Sequence, residues 1–402
     1  MTEAPVTPPL QGVKVLDLGQ IYNGPYAGFL LAHGGADVVK VEPLDGEALR
    51  KRGGGMGVPL SFAALNTNKR GIAINLKADR GKTLLIDLAK QADVLLENFA
   101  PGAMDRLGVG ADVLMDVNPR LIYASGTGYG LSGPDRDNLA MDLTVQAVGG
   151  VMGINGPADG PPLKTGLAIC DFLGGVHLYA AITTALYERS VTGQGRLVEV
   201  AMQEALYPAL ASNVAGMLSQ GWKQPERRGN RHPTRGSAPY NVYECTDGHI
   251  AVICVRDAHW TSLLEVIGRT DAADDPRFAT QALRGENEDA VDEIVAPWLR
   301  GRSKYEVTQI FKDNRIPAAP VRDLTEVTAD PHMHARGMLH DVDHPEMGKI
   351  VLPSSPLRFA GSEPPALAPE PGIGEHTETV LADWLGLDAG MVEALKDSNV
   401  VG

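Results

Sequence analysis

The sequence predicts an α/β fold, with an open, doubly wound parallel sheet in a large first domain and a smaller α+β domain after it. Three observations carry this. Short runs rich in valine and leucine, apolar at nearly every position, alternate with helical stretches through the first two hundred residues. Strands covered on both faces read this way, and strand–helix alternation implies right-handed crossovers. The Gly-, Pro- and Arg-rich segment SQGWKQPERRGNRHPTRGSAPY (219–240) then interrupts the alternation, and a hairpin followed by helices replaces it.

In order, VKVLDLG (13–19) and DVVKVE (37–42) open the strand series. Further strands are expected at 72–76, 93–99, 121–125, 163–168 and 197–202, with helices at 26–33, 81–91, 142–152 and 171–190. The product is a Rossmann-like sheet. YNVYECTDGHIAVICV (240–255) reads as a hairpin turning on Asp247-Gly248. Helices follow at 258–267, 288–300 and 304–314. A second hairpin (337–359), a Pro-rich stretch (361–373) and two short helices close the chain. The expected domains are 1–215, 225–325, and a segment 335–402 returning to the first. At ~150 residues per domain, 402 residues give room for two or three.

Composition excludes several classes of function. The net charge of −14 supplies no counterion-release term, so no nucleic-acid partner is expected. The cysteines Cys170, Cys245 and Cys254 have no C-x-x-C spacing, which removes a disulfide scaffold and a cysteine-based zinc site. No uninterrupted apolar run approaches the ~20 residues of a membrane span. The opening MTEAPVTPPLQG has neither a basic nor a long apolar stretch, so a secretory leader is not expected. These features together predict a cytoplasmic protein with no membrane partner.

Two glycine motifs fail on context. Gly128, Gly130 and Gly133 match G-x-G-x-x-G after a strand, but Pro134 and DRDN (135–138) follow instead of a helix. No acid stands ~20 residues on, so a Gly-rich turn outweighs a nicotinamide dinucleotide site. Gly81-Lys82-Thr83 imitates a phosphate loop, yet Leu76 occupies its upstream glycine position. His332, His334, His340 and His344 are interrupted by Gly337, with Pro331 and Pro345 at the flanks, so they do not share one helix face. No metal is expected.

GLAICDFLGG (166–175) is the informative element. A short apolar run enters Asp171, and an apolar helix (Phe172, Val176, Tyr179, Ile182, Leu186) begins there. One reading makes Asp171 the helix N-cap. The other makes it a carboxylate held ionised by the helix dipole at the sheet's ligand-binding edge, able to attack an acyl carbon. Gly174 and Gly175 would admit a bulky ligand or a second backbone.

With this element in place, the chain resembles the class III CoA-transferases. The resemblance runs through VKVLDLG (13–19), GADVVKVEP (35–43), NTNKRGIAINLK (66–77) and ADVLLENFAPGAMDRLGV (92–109). NPRLIYASGTGYGLSGP (118–134), AMDLTVQAVGGVM (140–152), the Asp171 element and TGQGRLVEVAMQEAL (192–206) complete it. It implies an acyl-CoA:carboxylate CoA-transferase in which Asp171 is the nucleophile. Attack on an acyl-CoA gives an aspartyl anhydride and CoA thiolate, the thiolate forms an aspartyl-CoA thioester, and the acceptor acid takes the CoA.

Position by position, the resemblance implies coenzyme A contacts at Ile21 and Tyr22, at Ile74, Asn75, Leu76 and Lys77, and at Asn98 and Arg106. Leu139, Ala140, Met141 and Asp142 would line the channel by the nucleophile, with Met202 beside the carboxylate. Coenzyme A and acyl-CoA enter as substrates with a small carboxylic acid, no cofactor is tightly bound, and an interlocked homodimer is implied. Backbone N–H groups near Asp171 and in a small-domain glycine loop would hold the oxyanions.

Formyl-CoA transferases of this family carry an arginine where this chain has Pro43, a lysine where it has Leu139, and a glycine run where VRDAHW (255–260) stands. The acid is therefore expected to be neither formate nor oxalate. The family's 2-methylacyl-CoA racemases carry a histidine at the position of Met141, and methionine moves no proton. Racemization and non-catalytic CoA binding remain the alternatives.

Overall fold

A computed structural model describes residues 7–53, 58–362 and 365–402. The first six residues of the opening segment, and 363–364 of the Pro-rich stretch, lie outside the described residues. The chain forms two compact units: Met1–Gly149, Gly166–Pro208 and Asp330–Gly402 make the first, and Gly150–Thr165 with Ala209–Ala329 the second. Residues 150–165, within the stretch expected to form the first domain, thus cluster with the second unit.

The first unit is built on six parallel strands, β1 (Lys14–Asp17), β2 (Asp37–Glu42), β3 (Arg70–Ala73), β4 (Val94–Glu97), β5 (Ile122–Thr127) and β6 (Leu197–Ala201). Their order is β3-β2-β1-β4-β5-β6, and every pairing is parallel. The order reverses between β1 and β4, where open sheets of this kind leave a crevice at the strands' C-terminal ends.

Alternate residues of one strand feed opposite cores. Leu16, Val39 and Leu95 pack on one face with Leu85 and Leu88 of helix Asp79–Gln91, and with Val380, Leu381 and Trp384 of helix Thr377–Leu385. Val15, Val38, Val94 and Ile122 pack on the other with Ala27 and Leu31 of helix Asn23–His33 and with Leu178 and Ile182 of helix Ile169–Thr192. The chain end returns to this unit, Asn75 N–H donating to Val400 O at 2.9 Å.

Four local expectations are corrected. Residues 163–168 form no strand: Pro161 and Pro162 precede them, Leu163 and Leu167 face outward, and β6 fills the β5 edge. The expected 142–152 helix breaks at Gly149–Gly150, where Gly150 has φ 89°, into Asp142–Val148 and Val151–Ile154. The helix expected from Asp171 begins at Ile169 with Ala168 as its N-cap residue. In the hairpin, Cys245 pairs with Gly248, so Thr246 and Asp247 form the turn.

By length and apolar composition, helix Ile169–Thr192 is long enough to cross a membrane. Its packing against β5, β6 and helix Asn23–His33 is that of a sheet-covering crossover.

The second unit carries a three-stranded antiparallel sheet, β7 (Tyr240–Cys245), β8 (Gly248–Ile253) and β9 (Ala318–Pro320). Helices Asp257–Ile267, Glu288–Arg300 and Lys304–Asp313 cover it around Trp260, Phe278 and Phe311. VRDAHW enters the first of these helices, with Trp260 in the core and Asp257 paired to the fully buried Arg284 at 2.7 Å. A two-stranded hairpin, β10 (Leu339–His344) with β11 (Gly348–Pro353), belongs to the first unit.

Candidate active site

Asp171 is the third residue of helix Ile169–Thr192 and is 9% exposed. It does not cap that helix. Asp142, the first residue of helix Asp142–Val148, performs the task from outside: its Oδ1 accepts from Cys170 N–H at 2.8 Å and Asp171 N–H at 3.3 Å. Gln146, one turn along, donates to Asp142 Oδ2 at 2.6 Å and to Leu167 O at 3.1 Å. A carboxylate accepting orphan helix N–H groups is worth ~1 kcal/mol.

The electrostatic result is opposite to the sequence expectation. Burial first, and the neighbouring Asp142 charge second, push the Asp171 carboxyl up to about 7. The helix N–H groups expected to favour the Asp171 carboxylate are given to Asp142 instead. The same two effects, with Asp171 itself, push the Cys170 thiol up to about 12, which leaves it a buried, inert neighbour.

Glycines explain how the helix reaches this position. A Cβ on Gly175 would lie 2.6 Å from Asn23 O, so the close-approaching backbone admitted by Gly174-Gly175 is helix Asn23–His33. A Cβ on Gly174 would stand 2.1 Å from Asn23 Nδ2 and 3.0 Å from Met202 Cγ. Met202, at the β6 exit, also faces Gly128, whose own Cβ position is filled by Ala140. Asp171, Asp142, Ala140 and Met202 are thereby brought together. Leu139 and Met141 flank them with exposed side chains.

The loop after β1 joins this cluster to a second region. Tyr22 stacks on Phe172, ring centroids 6.0 Å apart, and Tyr26 meets Phe172 edge-on at 4.8 Å. Ile21 has φ 61°, a costly conformation for a β-branched residue, and the loop is held on both sides. Ile21 N–H donates to Glu47 Oε2 at 3.1 Å, Lys40 Nζ to Gly19 O at 2.7 Å, and Gly19 N–H to Asp17 Oδ1 at 2.8 Å. Asn98 Oδ1 accepts Gln20 N–H at 2.7 Å while its Nδ2 donates to Gln20 O at 3.0 Å. Asn98 thus shapes the loop with its amide.

A cleft of about 500 Å³ opens over the C-terminal ends of β1 to β4. Ile74, Asn75, Leu76 and Lys77 line it together with Gly19, Gln20, the 41–48 segment, Lys51, Phe99 and Leu107. Arg106 is exposed on helix Ala103–Leu107, beside the lining residue Leu107. Ile21, Tyr22, Asn98 and Arg106 adjoin this cleft in sequence without being part of its lining.

The other motifs resolve into local structure. Gly130 and Gly133, with φ 96° and 85°, turn the chain after β5, and no helix opens before Asp142. His332 and His334 lie on helix Pro331–Ala335, while His340 and His344 lie on β10, where His344 meets Glu370 at 2.9 Å. Among the described residues, no group of three or more His, Cys, Asp or Glu side chains is placed to hold a metal. Sequence reasoning missed Phe172, Glu47, Gln146 and the side chain of Asn23. Only Gln146 had a signal, four residues beyond Asp142 on one helix face.

The description CoA-transferase family III matches residues 10–377. The chain is 37% identical to the formyl-CoA:oxalate CoA-transferase of Streptomyces coelicolor, over 98% of this chain and 99% of that one. It is 33% identical to the succinyl-CoA:mesaconate CoA-transferase of Haloarcula marismortui, over 95% and 97% respectively. A crystal structure of a CAIB/BAIF family protein from Brucella suis superposes with a TM-score of 0.84 at 32% identity, covering 94% of this chain and all of that one. By sequence match and by fold, the chain belongs to the CoA-transferase family III.

Proposed function

We propose that this enzyme moves coenzyme A from an acyl-CoA to a free carboxylic acid, with Asp171 carrying the transferred fragment. The observation behind this reading is a buried carboxyl, raised to about 7 and stripped of helix N–H donors by Asp142. A carboxylate that is weakly hydrated and weakly hydrogen-bonded is a stronger nucleophile than an exposed aspartate.

In the first step an Asp171 oxygen attacks the thioester carbonyl, the C–S bond breaks, and CoA leaves as thiolate. The thiolate attacks the aspartyl carbon of the mixed anhydride, and the donor acid leaves as carboxylate. The acceptor carboxylate then attacks the carbonyl carbon of the aspartyl-CoA thioester and expels CoA thiolate, leaving a second mixed anhydride. The thiolate attacks the acceptor's acyl carbon in it, releasing the new acyl-CoA and the free Asp171 carboxylate. Each intermediate is an activated acyl group, so the thioester free energy is conserved as long as water is kept from Asp171.

The nucleotide end of CoA belongs in the 500 Å³ cleft, with Ile74 to Lys77 as its wall and Lys77 and Lys51 near its phosphates. Tyr22 and Phe172 lead from there toward Asp171. Ile21, Asn98 and Arg106 border that path, while Leu139, Ala140, Met141, Asp142 and Met202 surround the reacting end. Leu139 stands exposed near the nucleophile where the family's formyl-CoA transferases carry a lysine, which supports an acid other than formate or oxalate; Pro43 lines the nucleotide cleft. No small-domain glycine loop enters this mechanism.

A second copy of the chain is the proposed partner. Helix Ile169–Thr192 leaves Val176, Tyr187 and Val191 exposed, and Leu139, Met141, Leu143 and Leu167 add apolar surface beside its start. Apolar surface of this extent marks an association face. Three buried free cysteines support a reducing, cytoplasmic setting without requiring it.

The test is an exchange assay with succinyl-CoA, acetyl-CoA or formyl-CoA as donor and a panel of carboxylates that includes oxalate, the thioesters being read by chromatography. New thioester from the wild type, and none from Asp171→Asn, supports the reading. Alpha-proton exchange into deuterated solvent without an acceptor acid would instead support racemization.

A further inference from the structure

The side chain of Asn23 is 2% exposed, and among the described residues neither Nδ2 nor Oδ1 has a hydrogen-bond partner. Leaving both ends of a buried amide unpaired is costly, because each group has given up water without gaining a partner. Native interiors seldom tolerate this without a functional reason. Asn23 is the first residue of its helix, yet its side chain bonds to no helix N–H.

Two glycines make room for this amide. Oδ1 lies where a Cβ on Gly126 would come within 2.4 Å, and Nδ2 where a Cβ on Gly174 would come within 2.1 Å. Any other residue at either position would displace it. Gly174 stands three residues beyond Asp171, on the same face of helix Ile169–Thr192. Side chains at that spacing are ~5–6 Å apart at Cβ. The unpaired N–H donor therefore lies against the helix at Gly174, one turn beyond Asp171 on the same face. Catalytic hydrogen bonds commonly close only when the reacting complex forms.

We propose that Asn23 is a catalytic residue, the hydrogen-bond donor for the oxygen on the Asp171 carboxyl carbon. This rests on the Asp171 reading above. When thiolate attacks the aspartyl carbon of the anhydride, the carbonyl π electrons move onto that oxygen. It becomes an oxyanion, and it returns to a carbonyl as the donor carboxylate leaves. The same oxygen charges again when the acceptor acid attacks the aspartyl-CoA thioester. Nδ2–H stabilises it in both steps without giving up its proton. The donor is preorganised because it is buried beside Gly126 and Gly174, and because among the described residues no other partner competes for it.

The experiment compares wild type, Asn23→Ala and the nearly isosteric Asn23→Leu as full-length proteins. The readouts are steady-state exchange, thermal melting, and trapping of acylated Asp171 by hydroxylamine with mass spectrometry. Expected are a roughly 100-fold loss of kcat in both variants, KM within about threefold of wild type, and a Tm equal to or above wild type. The expected pattern is Asp171 hydroxamate that still forms in both variants, with intact-protein mass spectra showing slower appearance of the CoA adduct that marks the aspartyl-CoA thioester. Wild-type kcat in either folded variant overturns the proposal. So does a fall in Tm that accounts for the lost activity in both. Hydroxamate on wild-type Asp171 with unimpaired variants defeats the Asn23 role alone. Active wild type without any adduct on Asp171 removes the reading beneath it as well.

Discussion

Asp142 Oδ1 receives the N–H groups of both Cys170 and Asp171, at 2.8 and 3.3 Å, so one acidic residue caps the helix and the carboxyl of the other is left out of the cap. The division of labour between two carboxylates of the same type comes from position alone. Asp142 has helix donors and Gln146 around it, whereas Asp171 has burial and the Asp142 charge.

The first prediction concerns pH. With Asp171 at about 7, kcat/KM for exchange rises as pH rises through 7, because the ionised form is the nucleophile. Asp142→Asn keeps a cap acceptor and removes the charge. The midpoint of the profile then moves to lower pH, as measured between pH 5 and 9. An unmoved midpoint contradicts the electrostatic coupling.

A second prediction concerns stability. The Asp171 folded-state value of about 7 lies above its unfolded value of 3.8. The folded state therefore favours the protonated form, and the associated stability is present below about pH 4 and lost as pH rises through 7. At pH 8 the wild type carries a penalty of up to about 4 kcal/mol that a neutral side chain avoids. Asp171→Asn should melt several degrees above wild type at pH 8 and alongside it at pH 4, by calorimetry. An Asp171→Asn protein less stable at pH 8 contradicts the burial argument.

A third prediction concerns the cleft wall. A Cβ on Gly81 would stand 2.1 Å from Asn75 O, a backbone atom that cannot swing away. Gly81→Ala should cost ~1–3 kcal/mol in denaturant unfolding and weaken CoA binding, because Ile74 to Lys77 must move. Gly301→Ala, whose Cβ would meet nothing closer than 4.0 Å, is the control and should change neither.

A fourth prediction concerns charge at the same cleft. Lys77 is exposed at its rim, and Lys51 lines it beside Asp45. Lys77→Glu should weaken CoA binding about 3- to 10-fold at low salt, with the difference shrinking as salt screens the phosphates. Calorimetric titration at two salt concentrations measures it. Equal affinity at low salt would place the nucleotide elsewhere.

Much of the sheet was legible because its strands are apolar on both faces: DVVKVE coincides with β2, and VKVLDLG contains β1. The same rule misread 163–168, where an apolar run lacks any free sheet edge to join. Asp171 was legible by its place between an apolar run and an apolar helix, but its protonation was not. That depends first on burial and then on Asp142, whose approach across 29 residues of chain no local pattern encodes. Asn98 was expected to contact coenzyme A, and what the structure shows of it, its bonds to Gln20, depends on β1 and β4 being neighbours. Asn23 left no mark at all in the sequence, because an unpaired amide is defined by what surrounds it in space.

The most direct test is the covalent state of Asp171 during turnover. Wild-type protein is incubated with acyl-CoA, quenched with hydroxylamine, digested, and the peptide containing Asp171 is analysed by mass spectrometry. A hydroxamate confined to Asp171, formed at a rate no slower than turnover and absent in Asp171→Asn, is the predicted result. Full exchange activity with that peptide unmodified would contradict the account.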